Sequence, residues 1–116
     1  MRMNCSSLTK NEAEAIERLY TEIKDKLDVS KLILFGSKAR DEAQEYSDVD
    51  LLVLTRRLKD KQDRWLLSDI AADINIDYGV ALECLYYSES DWEACDEINP
   101  LLKENVEREG IPLVLH

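Results

Sequence analysis

Two short apolar runs, Leu32-Ile33-Leu34-Phe35 and Leu51-Leu52-Val53-Leu54, sit either side of a polar excursion in the stretch KLILFGSKARDEAQEYSDVDLLVL, residues 31–54. Apolar runs this short, bounded by Gly and polar residues, predict strands buried on both faces. The first run stops at Gly36-Ser37, and Asp48 and Asp50 lead into the second. Side chains alternate along a strand, so Asp48 and Asp50 are expected on one side, about 7 Å apart. Carboxylates that close repel each other, and a divalent cation between them removes the repulsion. A Gly-Ser strand end facing two such acids predicts a site for a nucleoside triphosphate and Mg²⁺.

The flanking chain supplies helices to cover these strands. Thr9-Lys10-Asn11-Glu12 has the capping-box form, and Ala13, Ile16, Leu19, Tyr20, Ile23 and Leu27 then recur at helical spacing. Ser37 to about Asp41 can form a short helix capped by Ser37, followed by a polar loop to Ser47. Strand two is predicted over Val49–Thr55 and a helix over about Asp63–Asp77. The β-branched and aromatic stretch Val80–Tyr87 predicts strand three. Ser88 or Ser90 can cap a short helix holding Trp92. Asn99-Pro100 opens a last helix that Gly110 closes, and the apolar tail 111–115 can pair at a sheet edge or with another chain. The order α-β-(α)-β-α-β-α-α predicts one domain over residues 1–116, of α/β (α+β) class, a small mixed β-sheet with helices packed over it.

Composition narrows the chemistry. The one histidine is the terminal His116, which excludes Ser-His-Asp and Cys-His catalysis and histidine-ligated zinc. Three cysteines without CxxC spacing give no disulfide framework or zinc knuckle. A formal charge of −10 argues against general nucleic-acid binding and suits local recruitment of cations, with a small ligand or a basic protein as partner. No run approaches a bilayer span and the N-terminus has no apolar signal core, so a cytoplasmic location without membrane contact is expected.

Gly36-Ser37, ten intervening residues and Asp48-x-Asp50 closely resemble the nucleotidyltransferase superfamily that includes DNA polymerase β. The text FGSKARDEAQEYSDVDLLVL resembles in particular the minimal nucleotidyltransferases, commonly paired with HEPN proteins as toxin–antitoxin systems. Ser88-x-x-x-Trp92 and the segment EREGI from Glu107 add to the likeness. The resemblance implies the polymerase β-like palm fold and a third carboxylate on strand three, matched by Glu83, the only acid within that run. An acid in a strand core is costly unless paired or metal-bound, which marks Glu83 on separate grounds. The implied catalytic and metal-binding residues are Asp48, Asp50 and Glu83, holding two Mg²⁺ ions. Gly36, Ser37, Lys38 and Arg40 would meet the triphosphate of ATP. The family often has Arg where Lys38 stands and Gly where Asp41 stands.

Plainer readings stand beside these. Gly36-Ser37 can be a strand-end turn, Asp48 an Asx-turn residue, Glu83 an edge-strand acid reaching solvent and Arg40 a salt-bridge partner of the aspartates. Lys38 can be a solvated helix residue. Trp65, Trp92, Tyr86 and Tyr87 are expected in core or interface packing. The resemblance implies transfer of a nucleoside monophosphate, AMP from ATP, to a hydroxyl of a protein acceptor, with a HEPN-type toxin as partner. The residues after strand three are too few for a separate small-molecule domain, which favours the protein acceptor. The alternatives are an antitoxin that neutralises its partner by binding alone, a transferase with a small-molecule acceptor, or a sensor that binds nucleotide without turnover. Assembly as a homodimer is open.

Overall fold

The structure is a computed structural model that describes residues 8–36, 48–58, 60–94 and 99–113. Its elements run α1 (Lys10–Ile23), β1 (Val29–Phe35), β2 (Val49–Thr55), α2 (Lys61–Tyr78), β3 (Leu82–Ser88), α3 (Glu89–Ala94), α4 (Pro100–Glu109) and β4 (Ile111–Pro112). The expected small mixed sheet is present, with strand order β3-β2-β1-β4. β2 runs antiparallel to β1 and parallel to β3, and β4 is antiparallel to β1. The parallel pair requires a crossover, which α2 supplies, so β3 starts at the same sheet end as β2.

Alternation in β2 sorts the core into two halves. Leu51 and Val53 join Leu32, Leu34, Leu82 and Tyr86 beneath α1 and α2, packed on Ile16, Leu19, Ile23, Leu67 and Ile74. Leu52 and Leu54 join Ile33, Phe35, Leu85 and Tyr87 on the other face, covered by Trp92 of α3 and by Leu102 and Val106 of α4. Strand two is therefore buried on both faces, as its unbroken apolar run predicts.

The helix ends follow their local chemistry. The Thr9 hydroxyl accepts from the Glu12 amide at 3.1 Å while the Thr9 amide donates to Glu12 Oε1 at 2.9 Å. Asp60 caps α2, and Gly79 closes it with φ 64°, a left-handed conformation that costs glycine little. Asn99 caps α4 through the Leu101 amide at 2.9 Å, with Pro100 in the first turn. Gly110 closes α4 as expected, and it does so without a left-handed turn, with φ −65°. A Cβ there would strike the Val106 carbonyl and Ile33 Cγ2, so glycine lets α4 lie close on β1.

Several boundaries shift. β1 begins at Val29, because Val29 and Lys31 pair with Thr55 and Leu54 despite the polar residues between Val29 and Leu32. α1 ends at Ile23, short of Leu27, which is nonetheless buried. β3 begins at Leu82 and not at Val80, whose amide still donates to the Asn75 carbonyl of α2 at 3.2 Å. Asn75 also grips the strand start: its Oδ1 accepts from the Leu82 amide at 2.9 Å and its Nδ2 donates to the Leu82 carbonyl at 3.3 Å. The tail does pair at a sheet edge, as β4 on β1. The helix expected from Ser37 to Asp41 and the loop after it lie outside the described residues. No described helix is long and apolar enough to cross a membrane.

Replacing Asn75 with Ala leaves both Leu82 backbone groups without their partner. The variant is expected to lose about 1–3 kcal/mol of stability, read as a lower urea midpoint with an unchanged slope.

Candidate active site

The C-terminal end of β1 and the N-terminal ends of β2 and β3 meet at one end of the sheet. The register places Phe35 opposite Asp50 and Asp50 opposite Glu83, a row across three strands. All three belong to the α3/α4 face, since Asp50 alternates with Leu51 alongside Leu52, and Glu83 alongside Leu85. Neighbouring strands lie about 4.8 Å apart, so Asp50 and Glu83 stand abreast. Like charges directly opposite are destabilising, and a cation between them reverses that effect. A cleft of about 520 Å³ opens over this row, lined by Phe35, Asp50, Glu83, Cys84, Leu85 and Leu102.

Gly36 follows Phe35 with φ 76°. An added Cβ would collide with Oδ2 of Asp50 and lie 3.2 Å from its Cγ. The Asp50 carboxylate thus occupies the space that any other residue at position 36 would claim, and the bare backbone of Gly36 borders the acid row.

Asp48 lies one residue before β2 and is exposed. Among the described residues, no three His, Cys, Asp or Glu side chains converge as a metal-holding group. Asp50 and Glu83 are brought together at one cleft, whereas Asp48, one residue ahead of the strand, is not among the residues that line it. Ser37, Lys38 and Arg40 lie outside the described residues. Glu83 is second in β3 and exposed, so the expectation that it sits costly in a strand core is corrected: β3 starts two residues later than expected and carries it to an open end. The donor set itself suits Mg²⁺, which is commonly bound by one or two carboxylates together with substrate phosphates.

The sequence expectations did not include Phe35, Leu85 or Leu102 in the cleft. Phe35 and Leu85 share the acid row's face by alternation alone, a signal present once register is known. Leu102 reaches the cleft through tertiary packing of α4. Of the aromatic residues, Tyr86 and Trp92 are buried and Tyr87 meets Trp92 at 5.7 Å between ring centroids, whereas Trp65 is exposed. The Cys84 thiol is pushed up to about 12, first by burial and then by the neighbouring Glu83 charge. A second cavity, of about 340 Å³, lies between α2 and β3. It holds neither acid of the row.

The description "Nucleotidyltransferase domain" matches residues 16–112, which span both strands of the acid row and the turn at Gly36. The chain belongs to the nucleotidyltransferase domain family. A Methanocaldococcus jannaschii protein named "Putative protein adenylyltransferase" is 42% identical over 77 residues, covering 65% of this chain and 52% of that one. The chain thus spans about half the length of that relative. A second protein of that organism, bearing the same name, is 31% identical over 102 residues, 86% of this chain and 95% of its own. Among solved structures, a "putative minimal nucleotidyltransferase" superposes with TM-score 0.60 and 27% identity, covering 93% of this chain and 99% of that one. A toxin–antitoxin structure with AMP-PNP gives 0.58 at 18% identity, over 86% of this chain and 73% of the other. A tri-AMPylated Shewanella oneidensis HEPN toxin in complex with MNT antitoxin gives 0.56 at 16%, over 90% and 72%. The last two, so distant in sequence, bear on the nucleotidyltransferase fold alone.

Two outcomes follow from this geometry. Gly36→Ala is expected to lower stability by about 2 kcal/mol through a left-handed Ala pressed on Asp50, read as a lower melting temperature. In a Cys5→Ser/Cys95→Ser background, iodoacetamide should label Cys84 at pH 8 roughly 1,000-fold more slowly than a free thiol, with labelling at the free-thiol rate after denaturation.

Proposed function

We propose that this nucleotidyltransferase moves AMP from ATP to a hydroxyl of a protein acceptor in a Mg²⁺-dependent reaction, and that the acceptor is a HEPN-type toxin which it restrains. The observation carrying this reading is the side-by-side placement of Asp50 and Glu83 at a cleft bordered by the bare backbone of Gly36. Relatives named as protein adenylyltransferases, and fold neighbours that include a toxin–antitoxin pair with AMP-PNP and an antitoxin in complex with a tri-AMPylated HEPN toxin, support the choice of acceptor and nucleotide.

Each residue has a role on that reading. Gly36 lets backbone approach the triphosphate closely, with Ser37 adding an amide and a hydroxyl, and Lys38 and Arg40 adding positive charge along the phosphates. Asp50 and Glu83, with Asp48, would hold the metal, which when bound orients the triphosphate and offsets charge on the transferred phosphoryl group. Glu83, the most open of the row, is placed to take the proton of the acceptor hydroxyl. The acceptor oxygen then bonds to the α-phosphorus as the α–β anhydride bond breaks, and pyrophosphate leaves. Phe35, Leu85 and Leu102 give the cleft an apolar wall that excludes water from the phosphorus.

A second reading is an antitoxin that acts by binding alone. It is favoured by one observation: among the described residues the acids do not form a three-ligand group.

Incubation with α-labelled ATP, Mg²⁺ and the product of the adjacent gene separates the two. Label is expected on the partner protein, abolished by EDTA and reduced at least about 100-fold by Asp48→Asn with Asp50→Asn. Neutralisation by wild type and double variant alike, with no label transferred by either, would favour the binding-only reading.

A further inference from the structure

β3 is an edge strand, paired with β2 on one side and with no strand on the other among the described residues. The Ala81 carbonyl accepts from the Val49 amide at 2.8 Å and so points at β2. Backbone groups alternate in direction along a strand, which turns those of Glu83 and Leu85 to β2 as well and those of Leu82, Cys84 and Tyr86 outward. Leu82 bears this out, because the Asn75 carboxamide takes both its amide and its carbonyl from the outer side. A carboxamide offers one carbonyl and one N–H donor on adjacent atoms, as a peptide group does. Asn75 therefore stands where the backbone of a neighbouring strand would stand. Cys84, the next outward residue, has no such partner among the described residues.

The cavity of about 340 Å³ between α2 and β3 continues from Asn75 along this edge, and Cys84, Leu85, Tyr86 and Tyr87 all line it. Successive strand residues point to opposite faces, so a hollow that touches four in a row meets the strand along its edge. The flank of α2 above it carries Ser68, Ala71 and Ala72, whose short side chains leave the room. α2 runs back over β3, with Asn75 at Leu82 and the Asp60 amide donating to the Tyr86 hydroxyl at 3.3 Å. Arg64, one turn after Asp60, thus lines the hollow at its Tyr86 end. Its guanidinium makes no ion pair among the described residues.

We infer that the open edge of β3 takes an extended segment of a partner protein as a further, antiparallel strand, with a carboxylate of that segment meeting Arg64. The antiparallel arrangement lets one residue of the segment exchange both hydrogen bonds with Cys84. Residues opposite each other share a sheet face, so that residue and the one opposite Tyr86 both turn toward α2. The first carries a small apolar side chain into the hollow beside Ser68, Ala71 and Ala72. The second, two positions earlier in the segment, carries the carboxylate. Backbone pairing supplies the affinity of such a site and the alternate side chains supply its selectivity. A helical segment does not fit the edge, because its amides are already bonded within the helix. The pairing needs neither nucleotide nor metal and stands apart from the reaction proposed above.

Amide-resolved hydrogen exchange and NMR titration of the full chain test this. In the protein alone, the Cys84 amide is expected to exchange at least about 100-fold faster than the Leu85 amide, which faces β2. The peptide acetyl-Thr-Asp-Thr-Val-Thr-amide places its valine opposite Cys84 and its aspartate by Arg64. It should shift the Cys84 and Ser68 amide signals saturably, with a Kd of about 1 mM or below. N-methylation of the valine should weaken binding at least about tenfold. Arg64→Glu should weaken it similarly, and should bind the peptide with lysine in place of aspartate more tightly than wild type does. A Cys84 amide as protected as Leu85 shows an edge already covered and overturns the inference. Protection that deepens with protein concentration assigns the edge to a second copy of this chain and overturns the partner segment. Shifts absent at about 10 mM peptide, or binding indifferent to N-methylation, overturn the added strand. Equal binding of the aspartate peptide by Arg64→Glu and wild type overturns the carboxylate contact.

Discussion

The register of β2 against its two neighbours is the constraint on which the site depends. Strand side chains alternate with a period of two, so slipping β2 by one residue exchanges its faces. Asp50 would then enter the apolar layer under α1 and α2, and Leu51 would take its place beside Glu83. The burial of Leu51 and Val53 on one face and Leu52 and Leu54 on the other makes such a slip costly. The same apolar residues that hold the sheet together therefore set the position of the acids. Gly36 closes the arrangement from the β1 side, because Asp50 already fills the volume of its missing side chain.

Asp50 and Glu83 stand abreast on neighbouring strands, and backbone anchors lie close by. Asn75 holds both backbone groups of Leu82, the residue immediately before Glu83. Val49, immediately before Asp50, donates its amide to the Ala81 carbonyl at 2.8 Å. Each acid thus follows a residue whose backbone is tied down, which fixes where the carboxylates stand without burying them.

Features specified within a few residues were legible in the sequence. The bounds of β2, the Thr9–Glu12 capping box and the Asn99-Pro100 helix start were all read from local chemistry, and the structure has them. Features that depend on distant chain were less so. The start of β3 was misplaced because Val80 looks like a strand residue locally, yet its amide completes the turn that ends α2. That error put Glu83 in a strand interior. Gly110 was recognised as a helix terminator, but the atoms that require glycine there include Ile33 on another strand. Leu102 gave no sign of belonging to the cleft, since only the docking of α4 brings it there. Ser37, Lys38 and Arg40 rest on the motif alone, being outside the described residues.

The parallel run of β2 and β3 also orders events as the chain is made. Gly36, Asp48 and Asp50 leave the ribosome on a two-stranded hairpin, a unit of marginal stability in water. Glu83 emerges only after the whole of α2, because the chain must travel back along the sheet before β3 can pair. Leu102 and the β4 clamp on β1 come later still. A nascent or prematurely ended chain carries the turn, the aspartates and Phe35 but neither the opposing acid nor Leu85 and Leu102. The cleft over Asp50 and Glu83 is complete only once α4 has brought Leu102 to it.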